Sequence, residues 1–212
     1  MIDSFAIATI MKAQLINIGL FSMKMIHGVA FNSRGKHRTG KCGKPYKVYQ
    51  LWADMIKRCY SDKYHEKNPA YVGCTVCPEW LDFQNFAEWY DRHEYKDMGY
   101  QLDKDLLTPK NKIYSPDTCC FVPQDLNMLI VGSGVTQGEY PVGIYWNKRE
   151  KKYLAQVNMN GKLNSIGMFS CPNEAHQAYK EVKEAYVKVK ANEWRCKIEP
   201  RVFDALMSWT VA

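Results

Sequence analysis

Asn160-Gly161 stands between Tyr153-Leu154-Ala155-Gln156-Val157-Asn158, a run of alternating character, and a shorter run that ends at Gly167-Met168-Phe169. A type I′ turn needs positive φ at both central residues, and asparagine followed by glycine meets that need best. The spacing therefore predicts a β-hairpin. An earlier alternating run from Pro141 turns at Asn147-Lys148-Arg149-Glu150, which predicts three antiparallel strands.

A helix follows. Ser170 is the expected N-cap, Pro172 sits in the first turn and Glu174 adds a favourable charge there. Ala175, Ala178, Tyr179, Val182, Ala185, Tyr186 and Val189 then recur at three- and four-residue spacing and form one apolar stripe. This helix is expected to cover one face of the sheet. With Tyr153, Ala155 and Val157 turned toward it, the period of two sends Leu154, Gln156 and Asn158 to the other face. Lys148, Arg149, Lys151, Lys152 and Lys162 crowd the hairpin rims. A flat face carrying amides and edged with cations suits a DNA groove, and the bland alternative is a solvated basic surface.

The pattern G-I-Y-W-x(6)-Y-x-A-Q-V, then G-K-x(3)-I-G-x-F, then E-A-x-x-A-Y resembles the AP-two DNA-binding domain of plant ethylene-response factors, in the form that phage and mobile-element proteins use. The resemblance implies a three-stranded sheet lying in the major groove, with Trp146, Lys148, Arg149, Lys152, Gln156, Asn158 and Ser165 at the contacting positions. Leu163 and Ser165 stand where plant members carry an arginine and a tryptophan, which leaves base readout by the third strand open.

The formal net charge of +7 and isoelectric point near 8.9 favour a polyanionic partner without deciding one. Eight cysteines are spread over 212 residues, and the segment from Ile2 to Met25 is too polar to span a bilayer and lacks the basic start of a signal peptide. Reduced thiols in a cytoplasm are therefore expected, with no membrane partner. Residues 1–48 form an N-terminal arm whose first part reads as a helix or as a helix ending in a strand. Its Gly- and Lys-rich part holds Arg34 and Arg38 among several lysines. That part reads either as a loop touching phosphate or as a solvated linker.

Tyr49 to Tyr60 places Leu51, Trp52, Met55, Ile56 and Cys59 on one helical face. A strand-like run over Tyr71 to Cys77, an amphipathic helix over Phe83 to His93, a strand over Tyr100 to Leu107 and a helix from Gln124 to Leu129 follow. The blocks W-x-x-M-x-x-R-C-Y, G-C-x-V-C-x-E-W-x-x-F-x-x-F, G-Y-x-L-D-K-D and N-K-x-Y-S-P-x-T-C-x-F-V-P are similar to phage-encoded relatives of His-Asn-His (HNH) endonucleases. These relatives often carry an appended AP-two domain. The implied organisation is an HNH-like ββα-type module at 49–130, a linker at 131–139, the AP-two-type domain at 140–192 and a helical tail at 193–212. The expected class is α+β.

An HNH nuclease holds a divalent ion beside an acidic residue while a histidine activates water. The matching pair here is Asp103-Lys104, and Thr118 stands where a related block carries asparagine. An ammonium cannot take a proton from water but can bind phosphate. Asp103, Asp105 and Asn127 remain for a weak Mg²⁺ site, with His65 or His93 as alternative bases and His27, His37 and His176 expected to face solvent. Cys74-x-x-Cys77 has metal-knuckle spacing, and Cys59 with Cys119 or Cys120, from the matching blocks, could supply the two further ligands of a structural zinc site; the alternative is a set of small buried hydrophobes. Three functions stay open: a double-stranded DNA-binding protein with a degenerate HNH-like module, an active Mg²⁺-dependent homing or nicking endonuclease, and a protein that binds a host protein. The tail over Val202 to Trp209 is expected to be a helix packed on another domain or on a second copy.

Overall fold

A computed structural model describes residues 24–130 and 139–211. The expected helix or strand before Phe21 and the linker over Val131 to Gly138 lie outside them. The chain is α+β, with β1 (Gly40–Lys41), β2 (Lys44–Pro45), α1 (Lys47–Tyr60), α2 (Asp62–His65), β3 (Thr75–Val76), α3 (Phe83–Arg92), β4 (Gln101–Asp103) and β5 (Ile113–Tyr114). Then come β6 (Cys120–Val122), α4 (Gln124–Ile130), β7 (Ile144–Asn147), β8 (Lys152–Met159), β9 (Lys162–Phe169), α5 (Pro172–Trp194) and α6 (Pro200–Ser208). Two compact units result, Met1–Lys96 with Thr108–Cys119 and Asp97–Leu107 with Cys120–Ala212.

The first unit is built on aromatic packing. Trp52, Met55, Ile56 and Cys59 are the buried face of α1, as the periodicity predicts. The Trp52 indole N–H donates to the Trp80 carbonyl at 2.7 Å, so a large ring is buried with its one polar group satisfied. Trp80 meets Phe86 edge to face at 5.0 Å between centroids. Asp82 caps α3 by accepting from the Gln84 amide. The strand expected over Tyr71 to Cys77 is shorter, only Thr75–Val76 paired in parallel with Ile113–Tyr114. A 3₁₀ turn at Pro69–Tyr71 and a positive φ of 77° at Gly73 break the extended run before it.

In the second unit β4 pairs antiparallel with β6, and α4 follows directly, which makes a small ββα arrangement. The strand expected to reach Leu107 stops at Asp103, because its carboxylate accepts the amides of Asp105 and Leu106 at 2.8 and 2.7 Å and turns the chain. Strands β7, β8 and β9 form the three-stranded antiparallel sheet. The hairpin between β8 and β9 turns on Asn160 and Gly161 with φ of 52° and 76°, the two positive values a type I′ turn requires.

Helix α5 packs against this sheet but begins one residue later than Ser170 suggests. Cys171 is its N-cap, with φ −119° and ψ 135° and no side-chain hydrogen bond. The residue before a proline is driven out of the helical region, so Pro172 sets the boundary at Cys171. The buried line also differs from the expected stripe. Ala175, Tyr179, Lys183, Val187 and Ala191 are buried, whereas Ala185 and Val189 are exposed. A strict spacing of four precesses about 40° per step around a helix of 3.6 residues per turn. The contact line therefore winds from one partner to a second.

Ala175 and Tyr179 join Ile144, Ala155 and Val157 beneath the sheet. Val187 and Ala191 join Leu106, Cys120, Val122, Leu126, Ile198, Val202 and Leu206 in another cluster. Helix α6 thus packs on the C-terminal half of α5 in its own unit. No helix of the described residues is long and apolar enough to cross a membrane.

Candidate nucleic-acid interface

Gly143 sets where the chain enters the sheet. Its φ is +81°, its carbonyl accepts from the Gln156 amide at 2.8 Å, and a Cβ there would lie 2.4 Å from the Tyr179 ring. Only glycine fits both the backbone angle and the space. From there the register places Tyr145 beside Leu154 and Leu154 beside Met168. Gln156 pairs with Ser165 and Asn158 with Leu163.

A β-bulge in β9 opposite Ala155 and Gln156 inserts Ile166 as an extra residue. This brings Ser165 and Met168 onto one face although they are three residues apart, an outcome that plain alternation does not foresee. Ala155 and Val157 are buried toward α5. Tyr145, Asn158, Leu163, Ser165 and Met168 are exposed on the opposite face, and Leu154 and Gln156 are half-buried there. None of these seven belongs to the cluster under the sheet or packs against it.

The expected contact residues divide. Lys152, Gln156, Asn158 and Ser165 share this face, which is uncovered among the described residues. Lys148 and Arg149 lie exposed in the β7–β8 turn, where Asn147 Oδ1 accepts the amides of Arg149 and Glu150, each at 3.1 Å, and shapes the loop. Trp146 and Lys162 fall on the other side. Trp146 pairs with Tyr153, their ring centroids 4.8 Å apart, and Lys162 pairs with Met159. Strand parity puts both on the α5 side of the sheet, and both remain exposed, Lys162 at the rim of the Asn160-Gly161 hairpin. Tyr145 and Met168, by contrast, join the uncovered face through the strand register, which spacing along one strand does not encode. The far hairpin turn is pinned from the helix, where the Tyr186 hydroxyl donates to Asn160 Oδ1 and accepts the Asn160 amide, both at 2.9 Å.

In the ββα arrangement, Asp103 already accepts two backbone amides, and burial raises its carboxyl above the usual range while those amides pull the other way. Lys104 is 6% exposed and its ammonium is held by the Asp105 carboxylate. An expected phosphate contact from Lys104 does not fit that engagement. Asn127 donates from Nδ2 to Gln101 Oε1 at 2.7 Å, while its Oδ1 is buried without a hydrogen-bond partner. Thr118 donates to the Ile113 carbonyl in the first unit.

Within that unit the His65 Nε2 donates to the Arg58 carbonyl at 2.8 Å and His93 meets Trp89 edge to face. His37 is not solvent-facing. Its side chain is 11% exposed and sits 3.2 Å from Glu88 and 3.4 Å from Asp91. His176 stacks on Tyr179 and its Nδ1 is buried, so it too departs from the solvent-facing expectation, whereas His27 is exposed. Arg34 and Arg38 are exposed on the basic loop, and Arg34 lines a cleft with Lys24, Asn32, Thr39 and Tyr49.

All eight cysteines are free thiols. Cys59, Cys74 and Cys119 are buried and Cys77 is half-buried, with burial pushing the Cys77 thiol up to about 11. Among the described residues no three of His, Cys, Asp and Glu stand together as a metal site. No family model, curated protein or solved structure matches the chain.

Proposed function

We propose that this protein binds double-stranded DNA through the uncovered face of the β7–β8–β9 sheet. The observation that carries the reading is the row Lys152, Gln156 and Asn158 along the central strand, exposed or half-buried opposite the α5-backed face. Five cations and one carboxylate lie between Tyr140 and Phe169, and Lys148, Arg149 and Lys151 are exposed at one end of the sheet. Backbone phosphates would take these cations, and base edges would take the amides. The ββα arrangement is read as a structural element rather than a hydrolytic one. In support, Asp103 Oδ1 accepts two backbone amides, and Lys104, paired with Asp105, stands where the resembled motif carries its general base.

A mobility-shift titration over several salt concentrations tests the reading. Lys148→Ala with Arg149→Ala should weaken binding and flatten the slope of log affinity against log salt by about two, since each lost phosphate contact removes roughly 0.9. Unchanged affinity and slope in a folded variant would remove the sheet from the interface. Supercoiled plasmid with Mg²⁺ or Mn²⁺ should stay uncut, and nicking that Asp103→Ala abolishes would replace binding by hydrolysis.

A further inference from the structure

Resting on that reading, we infer that the sheet selects A·T base pairs, by placing apolar side chains against thymine methyl groups and amides against adenine. Among the described residues no arginine occupies the uncovered face. The strongest side-chain reader of guanine is therefore missing from its centre, and Lys152 lies at the turn end, beside Asn147. In its place stands a cross-strand row of Tyr145, Leu154 and Met168, with Tyr145 46% and Met168 47% exposed. Leu163, 61% exposed, adds a second apolar point beside Asn158.

Large apolar side chains in solvent have a use if something apolar meets them. In the major groove that is the thymine C5 methyl, while glutamine and asparagine match the adenine N6 and N7 edge. The two kinds alternate along the face, with Leu154 followed by Gln156 two residues on, and Leu163 beside Asn158. Successive same-face residues rise about 6.7 Å along a strand, close to two base-pair steps of roughly 3.4 Å. Leu154, Gln156 and Asn158 thus span a short run of about four to five base pairs. The flanking cations supply the sequence-independent attraction that holds the duplex in place, so the occupant to which the face commits is an A·T-rich duplex.

The wild-type protein and four duplexes of equal length test this by competition: an A·T-rich duplex, the same duplex with every thymine replaced by deoxyuridine, a G·C-rich duplex, and that duplex with 5-methylcytosine. Uracil lacks only the methyl group. The inference expects the thymine duplex to bind tightest, with about fourfold lost per contacted methyl on going to uracil and G·C weakest. Methylation of cytosine should recover part of the loss. Met168→Ala with Leu163→Ala should narrow the thymine-over-uracil difference, and an undiminished difference would remove these two side chains from the readout.

Equal affinity for thymine, uracil and G·C duplexes, still lost in Lys148→Ala with Arg149→Ala, would overturn base selection and leave DNA binding by the sheet intact. Binding to none of the four would overturn the underlying reading itself. The wild-type comparison needs no variant to fold.

Discussion

Gly143→Ala isolates the one backbone position on which the geometry of the sheet turns. Two costs add. An alanine at φ +81° occupies the left-handed region at about 1 to 2 kcal/mol. Its Cβ would also stand 2.4 Å from Tyr179 Cδ2 and Cε2 and 2.9 Å from the Gln156 carbonyl oxygen. Tyr179 is only 5% exposed and packed under the sheet, so its ring has little room to withdraw, and overpacking of this kind costs about 1 to 3 kcal/mol. The total is about 2 to 5 kcal/mol.

Urea unfolding of the wild type, Gly143→Ala, Tyr179→Ala and the double variant separates the two parts. With the ring gone, the glycine substitution should cost only the conformational strain and the carbonyl contact, so the double-mutant cycle should show a coupling of about 1 to 3 kcal/mol. A cost below about 0.5 kcal/mol for Gly143→Ala, or costs that simply add, would refute the close approach. The same substitution displaces the backbone at Gln156, so under the proposed function DNA affinity should fall beyond the loss of folded protein.

Acid stability and one buried lysine supply two further tests. Lys36, His37 and Arg92 hold the Glu88 carboxylate down at about 2, against an ordinary value of 4.5. The stabilisation it brings is complete above pH 4.5 and disappears as pH falls from there through 2. Thermal melts from pH 6 downward should therefore lose less stability in Glu88→Gln than in the wild type, and superimposable profiles would count against the cluster. Burial pushes the Lys183 ammonium below its ordinary 10.5, and among the described residues it has no ion-pair partner. Wild-type stability should then rise with pH as the lysine loses its proton, up to 10.5. Lys183→Met should flatten that rise and gain on the order of 1 kcal/mol at pH 7. An unchanged alkaline slope would show that Lys183 reaches water.

Local patterns were readable in the sequence and long-range ones were not. Asn160-Gly161 carries its turn in its own chemistry, and the α1 face of Trp52, Met55, Ile56 and Cys59 follows from spacing alone. Lys183 was hidden because periodicity assumes a single partner, whereas α5 changes partner along its length. His37 lies 51 positions from Glu88 and Lys104 is covered by its tertiary setting, and no local spacing encodes either. The uncovered face was half legible. Alternation gives Leu154, Gln156 and Asn158, but Met168 needs the bulge at Ile166, and the outward side of Tyr145 follows only from its pairing with Leu154.

Helix α5 spans 23 residues, about 34 Å at 1.5 Å per residue. Because Trp209 touches both apolar clusters and the Val211 amide returns to Glu184, the strand trio and the ββα arrangement hang from a single common spar. Severing the chain after Asn192 would strip Ile198, Val202 and Leu206 from that spar and leave Val187 and Ala191 with only the Leu106, Cys120, Val122 and Leu126 part of their cluster. The segment that follows α5 is thus a keystone, and the second unit should melt in one step rather than two.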